Sequence, residues 1–225
     1  MNPAWEHTPH NGRTCIYVVR VNDYWPELCN LTIPNLRRYA RKIGADFVEI
    51  TERKYPDFPP TYEKVQVHDL GWQNEWNILI DADFLLHPLT PDFRLALPPR
   101  VVGFDYGYAA SSFLDTRSKY FLRYGQDRGI ATGLVVTNNV THDLWTPLEF
   151  GWEEARKRTK REFIIDEYCL SRNLARLGLP YVGLFQEMPD LRKCLVHLGT
   201  EEKSKEERQA VLDRALSLLR EWGQV

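Results

Sequence analysis

The chain has 225 residues, enough for one large domain with a substantial core. Hydrophobic residues make up 43%, charged residues 27%, and the formal net charge is −2, a balance that offers no general case for binding nucleic acid or membrane. The four cysteines, Cys15, Cys29, Cys169 and Cys194, form no Cys-x-x-Cys pair and no zinc-like spacing to histidine, so buried reduced thiols are expected. No apolar run approaches the roughly 18 residues of a membrane span. Met1 to Arg13 is polar and lacks the apolar centre of a signal peptide, which makes a flexible N-terminus and a cytoplasmic location the expectations.

Thr14 to Val21 is rich in β-formers and reads as the first strand. A polar turn at Asn22-Asp23 leads into a helix with Leu31, Leu36, Tyr39, Ala40 and Ile43 as its apolar positions. Pro34 suits its first turn and Gly44 its C-terminal cap. Phe47 to Ile50 is the second strand, which completes a βαβ unit and implies a parallel sheet. Lys54 to Thr61, with three prolines, is a loop. Tyr62 to Leu70 is helical, and Trp76 to Ile80 is a buried strand. Val101 to Phe104 and Gly133 to Val136 are further short strands. Between them, Asp105 to Ile130 reads as a long irregular segment suited to a binding loop, with a short helix near Lys119 to Tyr124. Ile165 to Leu177 has helical spacing with Gly178 as its stop, and Tyr181 to Leu184 follows as a strand. Ser204-Lys-Glu-Glu207 is a capping-box pattern opening a final amphipathic helix, with Val211, Ala215, Leu218 and Trp222 on one face. No repeat or low-complexity linker divides the chain. The expected fold is therefore one α/β domain over 1–225, with 201–225 as its C-terminal helix.

The chemistry concentrates at Asp81-Ala-Asp83, directly after the strand that ends at Ile80. Three readings compete. Aspartates often end strands because their side chains cap local N–H groups. Alternate carboxylates can hold a hard divalent cation. Paired carboxylates can also serve as nucleophile and general acid. The position at the C-terminal edge of a parallel sheet, where open α/β folds bind ligands, favours the metal reading.

In order along the chain, several blocks resemble the GT-A glycosyltransferases. They are Tyr17-Val-Val-Arg-Val-Asn22, Tyr39-Ala-Arg-Lys-Ile-Gly-Ala-Asp-Phe47, Tyr62-Glu-Lys64 with Asn77-Ile-Leu-Ile-Asp-Ala-Asp-Phe-Leu85, Ala131-Thr-Gly-Leu-Val-Val-Thr-Asn138, Ile165-Asp-Glu-Tyr-Cys-Leu170 and Val196-His-Leu-Gly199. The last block is similar to the glycogenin-like, family eight, retaining members. After Gly199 the chain reads Thr-Glu-Glu-Lys203, which departs from that family's Lys-Pro-Trp ending.

The resemblance implies a GT-A domain with a mostly parallel central sheet flanked by helices, and a nucleotide-sugar donor, with UDP as the nucleotide. Asp83 would bind a manganese or magnesium ion directly, Asp81 would share it or hold the ribose, and His197 would complete the protein ligands. Val21 and Asn22 would meet base and ribose, Lys64 the phosphates, and Gly133 would begin the strand that faces the sugar. Asp166 or Glu167 would orient sugar hydroxyls or deprotonate the acceptor, although a helix start favours carboxylates in any case. Arg156 to Arg161 carries five basic residues in six, a solvated face or a contact for the diphosphate or an anionic acceptor. Two other functions share these features. A nucleotidyltransferase also uses paired aspartates, but calls for a glycine-rich loop after the first strand, where Val21 to Trp25 has no glycine. A non-catalytic nucleotide-sugar-binding module is the other.

Overall fold

The structure is a computed structural model that describes residues 12–105, 130–159, 162–199 and 204–225. The expectations for 1–11, for most of the 105–130 segment, for Lys160 and Arg161 and for 201–203 lie outside these residues. Among the described residues there are eight strands: β1 Thr14–Val19, β2 Asp46–Ile50, β3 Trp76–Ile80, β4 Phe84–Leu86, β5 Val102–Phe104, β6 Leu134–Asn138, β7 Tyr181–Gly183 and β8 Leu195–His197. The three long helices among the described residues are α1 Pro26–Lys42, α2 Ile165–Leu177 and α3 Lys205–Glu221.

Six strands form the central sheet in the order β2-β1-β3-β6-β5-β7. β1 pairs parallel with β2 and β3, and β5 with β7, while β6 runs antiparallel to both β3 and β5. The sheet is mostly parallel, as expected, with one reversed strand in the middle.

The period-two alternation of the strands divides the core into two layers. Ile16, Val18, Ile78, Ile80, Leu134 and Val136 face Ile33, Leu36 and Ala40 of α1. Tyr17, Leu79, Val135 and Phe104 face the opposite way, against Ile165, Cys169, Leu170 and Leu174 of α2. The sheet therefore lies between α1 and α2. No helix among the described residues is long and apolar enough to cross a membrane.

Local sequence explains most boundaries. At the end of α1, Gly44 has φ 67°, its N–H bonds to the Arg41 carbonyl, and the Ala45 N–H reaches the Ala40 carbonyl at 2.8 Å. This is a Schellman closure that favours glycine. Gly178 closes α2 in the same way, at φ 60°. At α3, Ser204 and Glu207 form the expected reciprocal cap.

The start of α1 corrects the sequence reading. The helix begins at Pro26, so Pro34 lies in its interior rather than its first turn. Pro34 has no N–H to offer the Asn30 carbonyl, and both residues are exposed, so water can satisfy the freed oxygen. The expected helix at Tyr62 to Leu70 is present but begins as a 3-10 helix over Pro60–Gln66 before one α turn at Val67–Leu70.

The turn into β3 is set by Asn77, which is fully buried. Its side-chain amide donates to the Gly71 carbonyl at 3.0 Å and accepts from Asn74 at 3.0 Å. A Cβ on Gly71 would lie 2.3 Å from the Asn77 Oδ1, so only glycine fits there. The entry to the strand that leads to the paired aspartates is thereby fixed.

Two further strands were not expected. β4 and β8 pair antiparallel in a separate ribbon, with Phe84 opposite His197.

Candidate active site

β3 ends at Ile80, and the chain turns at once, with the Phe84 N–H bonding the Asp81 carbonyl at 3.2 Å. The turn reading of Asp-Ala-Asp is therefore correct for the backbone. The side chains do something further. Because β6 is reversed, its start arrives at the same edge of the sheet as the end of β3, and the Asp81 N–H donates to the Gly133 carbonyl at 2.8 Å. Gly133 is there for space, since a Cβ would come 3.0 Å from the Phe84 ring and 3.1 Å from the Asp105 carboxylate.

The Asp83 side chain is buried, and its Oδ2 lies 3.2 Å from the His197 Nε2. The ribbon makes this possible. The Leu198 N–H bonds the Asp83 carbonyl at 3.0 Å, and the His197 ring stacks on Phe84 with centroids 4.5 Å apart and planes 2° from parallel. Burial alone would push the Asp83 carboxyl up, but the His197 hydrogen bond and charge hold it below the usual carboxylate range. Burial works against the charged imidazole of His197 too, yet Asp83, followed by Asp81 and Asp105, raises it above the ordinary value.

Asp81 belongs to a second group. The Lys64 Nζ lies 2.8 Å from the Asp81 Oδ1 and 2.9 Å from the Asp166 Oδ2, and donates to the Thr132 carbonyl at 3.2 Å. Lys64 is 6% exposed, so it is not a solvated surface lysine. Burial disfavours its charge, but Asp166 and Asp81 outweigh that and raise its pKa. Asp81 shares this cation with Asp166 and sits beside Asp83. Burial, helped by those two carboxylates, pushes its pKa up to about 7 despite the lysine.

Asp166 is the second residue of α2 and is 2% exposed. Its Oδ2 accepts from the Thr132 hydroxyl at 2.6 Å, while its Oδ1 is buried with no hydrogen-bond partner. Buried carboxylate oxygens are normally satisfied, so this oxygen is free to accept a hydroxyl or a water. Glu167 is half-buried beside it and lies outside the Lys64 group.

At the end of β1 the Val21 side chain is buried, leaving its backbone as the available contact, and Asn22 is exposed. Asn22, Asp23 and Trp25 all have positive φ, at 55°, 50° and 31°. In the basic run, Arg156 pairs with Glu153, and Lys157 and Arg158 pair with Glu154, which ties this part of the run to its own helix turn.

One carboxylate went unnoticed in the sequence. Asp105 directly follows β5, is 4% exposed and contributes to the raised pKa of His197. The signal was there: an apolar strand running straight into an aspartate, the same pattern that marks Asp81.

Among the described residues no group of three or more His, Cys, Asp or Glu side chains has a metal-holding arrangement. The reason is local, since Asp81 turns to Lys64 while Asp83 turns to His197. That pair, hydrogen-bonded to each other at 3.2 Å, is of the carboxylate and imidazole types that a divalent cation takes as ligands.

The reversed strand within a mostly parallel sheet and the helices on both faces are those of the GT-A fold. Two solved structures share it. One is the galactosyltransferase LgtC in complex with donor and acceptor sugar analogues, at a TM-score of 0.52 and 12% identity over 91% of this chain and 94% of that one. The other is a glycosyltransferase involved in the glycosylation of the major capsid of PBCV-1, at 0.50 and 12% over 91% of this chain and 99% of that one. No protein-family model matches the sequence, and no curated protein matches it.

Proposed function

We propose that this chain is a metal-dependent glycosyltransferase that moves a sugar from a nucleotide-sugar donor, with UDP as the nucleotide, to an acceptor hydroxyl. The observation that carries the reading is the meeting of two groups at the ligand edge of the sheet. The Asp83–His197 pair comes together there with the Lys64–Asp81–Asp166 cluster, whose Asp166 Oδ1 lacks a donor. The shared fold adds support at the level of architecture.

In this reading Asp83 and His197, with Asp81 beside them, would hold a manganese or magnesium ion, which would supply positive charge to stabilise the departing diphosphate. Oxygen donors with one imidazole suit such ions. Lys64 keeps Asp81 and Asp166 in place and brings a positive charge toward the phosphates. Asp166, with its unpartnered oxygen, accepts a hydroxyl of the donor sugar, and Glu167 stands beside it on the acceptor side. The backbone at Val21 and Asn22 faces the nucleoside, and Gly133 leaves room for the sugar against Phe84 and Asp105. The bond between the anomeric carbon and the phosphate oxygen breaks, the acceptor oxygen takes that carbon, and its proton passes to solvent or a carboxylate. The block around His197 carries the family-eight expectation of retained anomeric configuration, which NMR of the product would read.

A nucleotidyltransferase would grip a triphosphate with a glycine-rich turn after β1, and Val21 to Trp25 has no glycine. Nucleotide release measured across a panel of UDP-sugars with manganese tests the proposal. Turnover that falls at least a hundredfold in Asp83→Asn is expected. Donor bound without metal and never consumed would mean a binding module. Neither binding nor turnover, with Asp83→Asn matching the parent, would overturn the reading.

A further inference from the structure

The residues of the site come from segments far apart in sequence, and three of those segments rest on one helix. The apolar face of α3, centred on Ala215 and Leu219, packs with Leu28 at the start of α1, Leu85 of β4 and Leu198 just past β8. Leu85 lies two residues beyond Asp83, and Leu198 follows His197. Trp25 packs against the same cluster, and the Arg208 guanidinium of α3 sits 5.3 Å from the centre of its ring. Beyond the helix, Gln224 accepts from Asn35 at 2.8 Å and from Arg38 at 3.1 Å, which ties it to α1.

Trp25 is also the most strained residue of the turn that follows β1. Its φ of 31° and ψ of 75° are unusual for a bulky aromatic side chain, and two more positive-φ residues, Asn22 and Asp23, stand just before it. Such backbone persists only where its surroundings over-determine it, and it gathers at functional sites. Local bonds supply part of the restraint: the Tyr24 N–H to the Val21 carbonyl at 3.2 Å, and the Cys29 thiol to the Tyr24 carbonyl at 3.1 Å. Packing of Trp25 against the α3 cluster adds to it.

We infer that α3 pre-sets the turn from Val21 to Trp25 in its nucleotide-receiving shape, with Trp25 and Arg208 as positioning residues for the donor. This rests on the proposed glycosyltransferase reading. The ligand class is the nucleoside part of the donor, because a turn at the end of the first strand of an α/β sheet presents its backbone there. Neither side chain needs to touch the nucleotide. If the turn relaxes, the apparent affinity falls in proportion to the fraction of molecules still in the competent shape.

The test compares Trp25→Ala, Arg208→Ala and Arg208→Lys with the parent by three measurements: melting temperature, amide exchange of residues 21–25 without ligand, and calorimetry with UDP and manganese. Arg208→Ala should weaken UDP binding about twofold to fivefold, the size of an exposed cation–π contact, and Arg208→Lys should restore it. Trp25→Ala should weaken binding about tenfold, as the competent fraction drops to about a tenth. In both alanine variants the turn should exchange faster, while Arg208→Ala lowers the melting temperature by no more than about 4 °C. UDP bound equally by the parent and both alanine variants would overturn the inference and leave the glycosyltransferase reading intact. A parent that binds no UDP would remove that reading and this inference with it.

Discussion

Asp83 and His197 move each other's protonation in opposite directions, and this gives their pairing a defined pH window. The Asp83 pKa is lowered, so its contribution to stability is present above the unfolded carboxylate value and is lost as pH falls through the folded one. The His197 pKa is raised, so its contribution is complete below the unfolded imidazole value and is lost as pH rises through the folded one. The pair is strongest between about pH 4 and 6.5. In EDTA-treated protein, an NMR titration should place His197 above the ordinary imidazole value, and Asp83→Asn should bring it down by about one unit. Asp81 behaves the other way. With its pKa pushed up to about 7, the folded state holds a proton that the unfolded chain releases near pH 4, so stability falls as pH rises across that interval. Asp81→Asn should therefore be nearly neutral at pH 4 and raise the melting temperature at pH 8 by roughly 2–4 °C, the equivalent of about 1 kcal/mol in a chain of this size. The same variant should lose donor turnover, so the residue that serves the proposed chemistry is one the empty fold would be better without. Both aspartates were legible because a strand end is readable from one short stretch. Asp105 had the same signature, but its neighbours continue into a long segment that drew attention as a loop. The burial of Lys64 was not legible, because its partners Asp81 and Asp166 lie 17 and 102 positions further along the chain.

Strands and helices with strong periodicity were read within a residue or two, as for β3 and α2. The reading failed where structure depends on distant partners. β4 and β8 have three residues each, too few for a period to show, and each becomes a strand only through the other. The start of α1 was missed for a different reason. Pro34 reads as an opening signal, and only the exposure of Pro34 and Asn30 explains why the helix tolerates it. An interior proline costs about 3 kcal/mol relative to alanine, and the stiffer unfolded chain offsets up to about 1 kcal/mol of that. Pro34→Ala should therefore stabilise the protein by about 2 kcal/mol in urea denaturation. Because Pro34 faces solvent, UDP affinity should not change.

Across the whole molecule, the two layers of core hold the sheet while the proposed chemistry occupies one edge of it, so ligand binding should register as global stability. At a hundred times its dissociation constant, UDP with manganese should add about 2.7 kcal/mol. A thermal shift assay would show this as a rise in the parent that is absent in Asp83→Asn. The α/β class and the position of the ligand edge were legible from strand–helix–strand order alone. The assembly of the edge was not, because Asp83 and His197 are 114 residues apart. That separation also has a meaning in time. At roughly 5–20 residues per second of synthesis, Asp83 leaves the ribosome about 6–23 s before His197. For that interval the β4 edge has no strand beside it, and the nascent chain carries an unpaired hydrogen-bonding edge next to an acidic turn. Slow codons or a chaperone acting late in the message would therefore affect this protein more than the same delay early on.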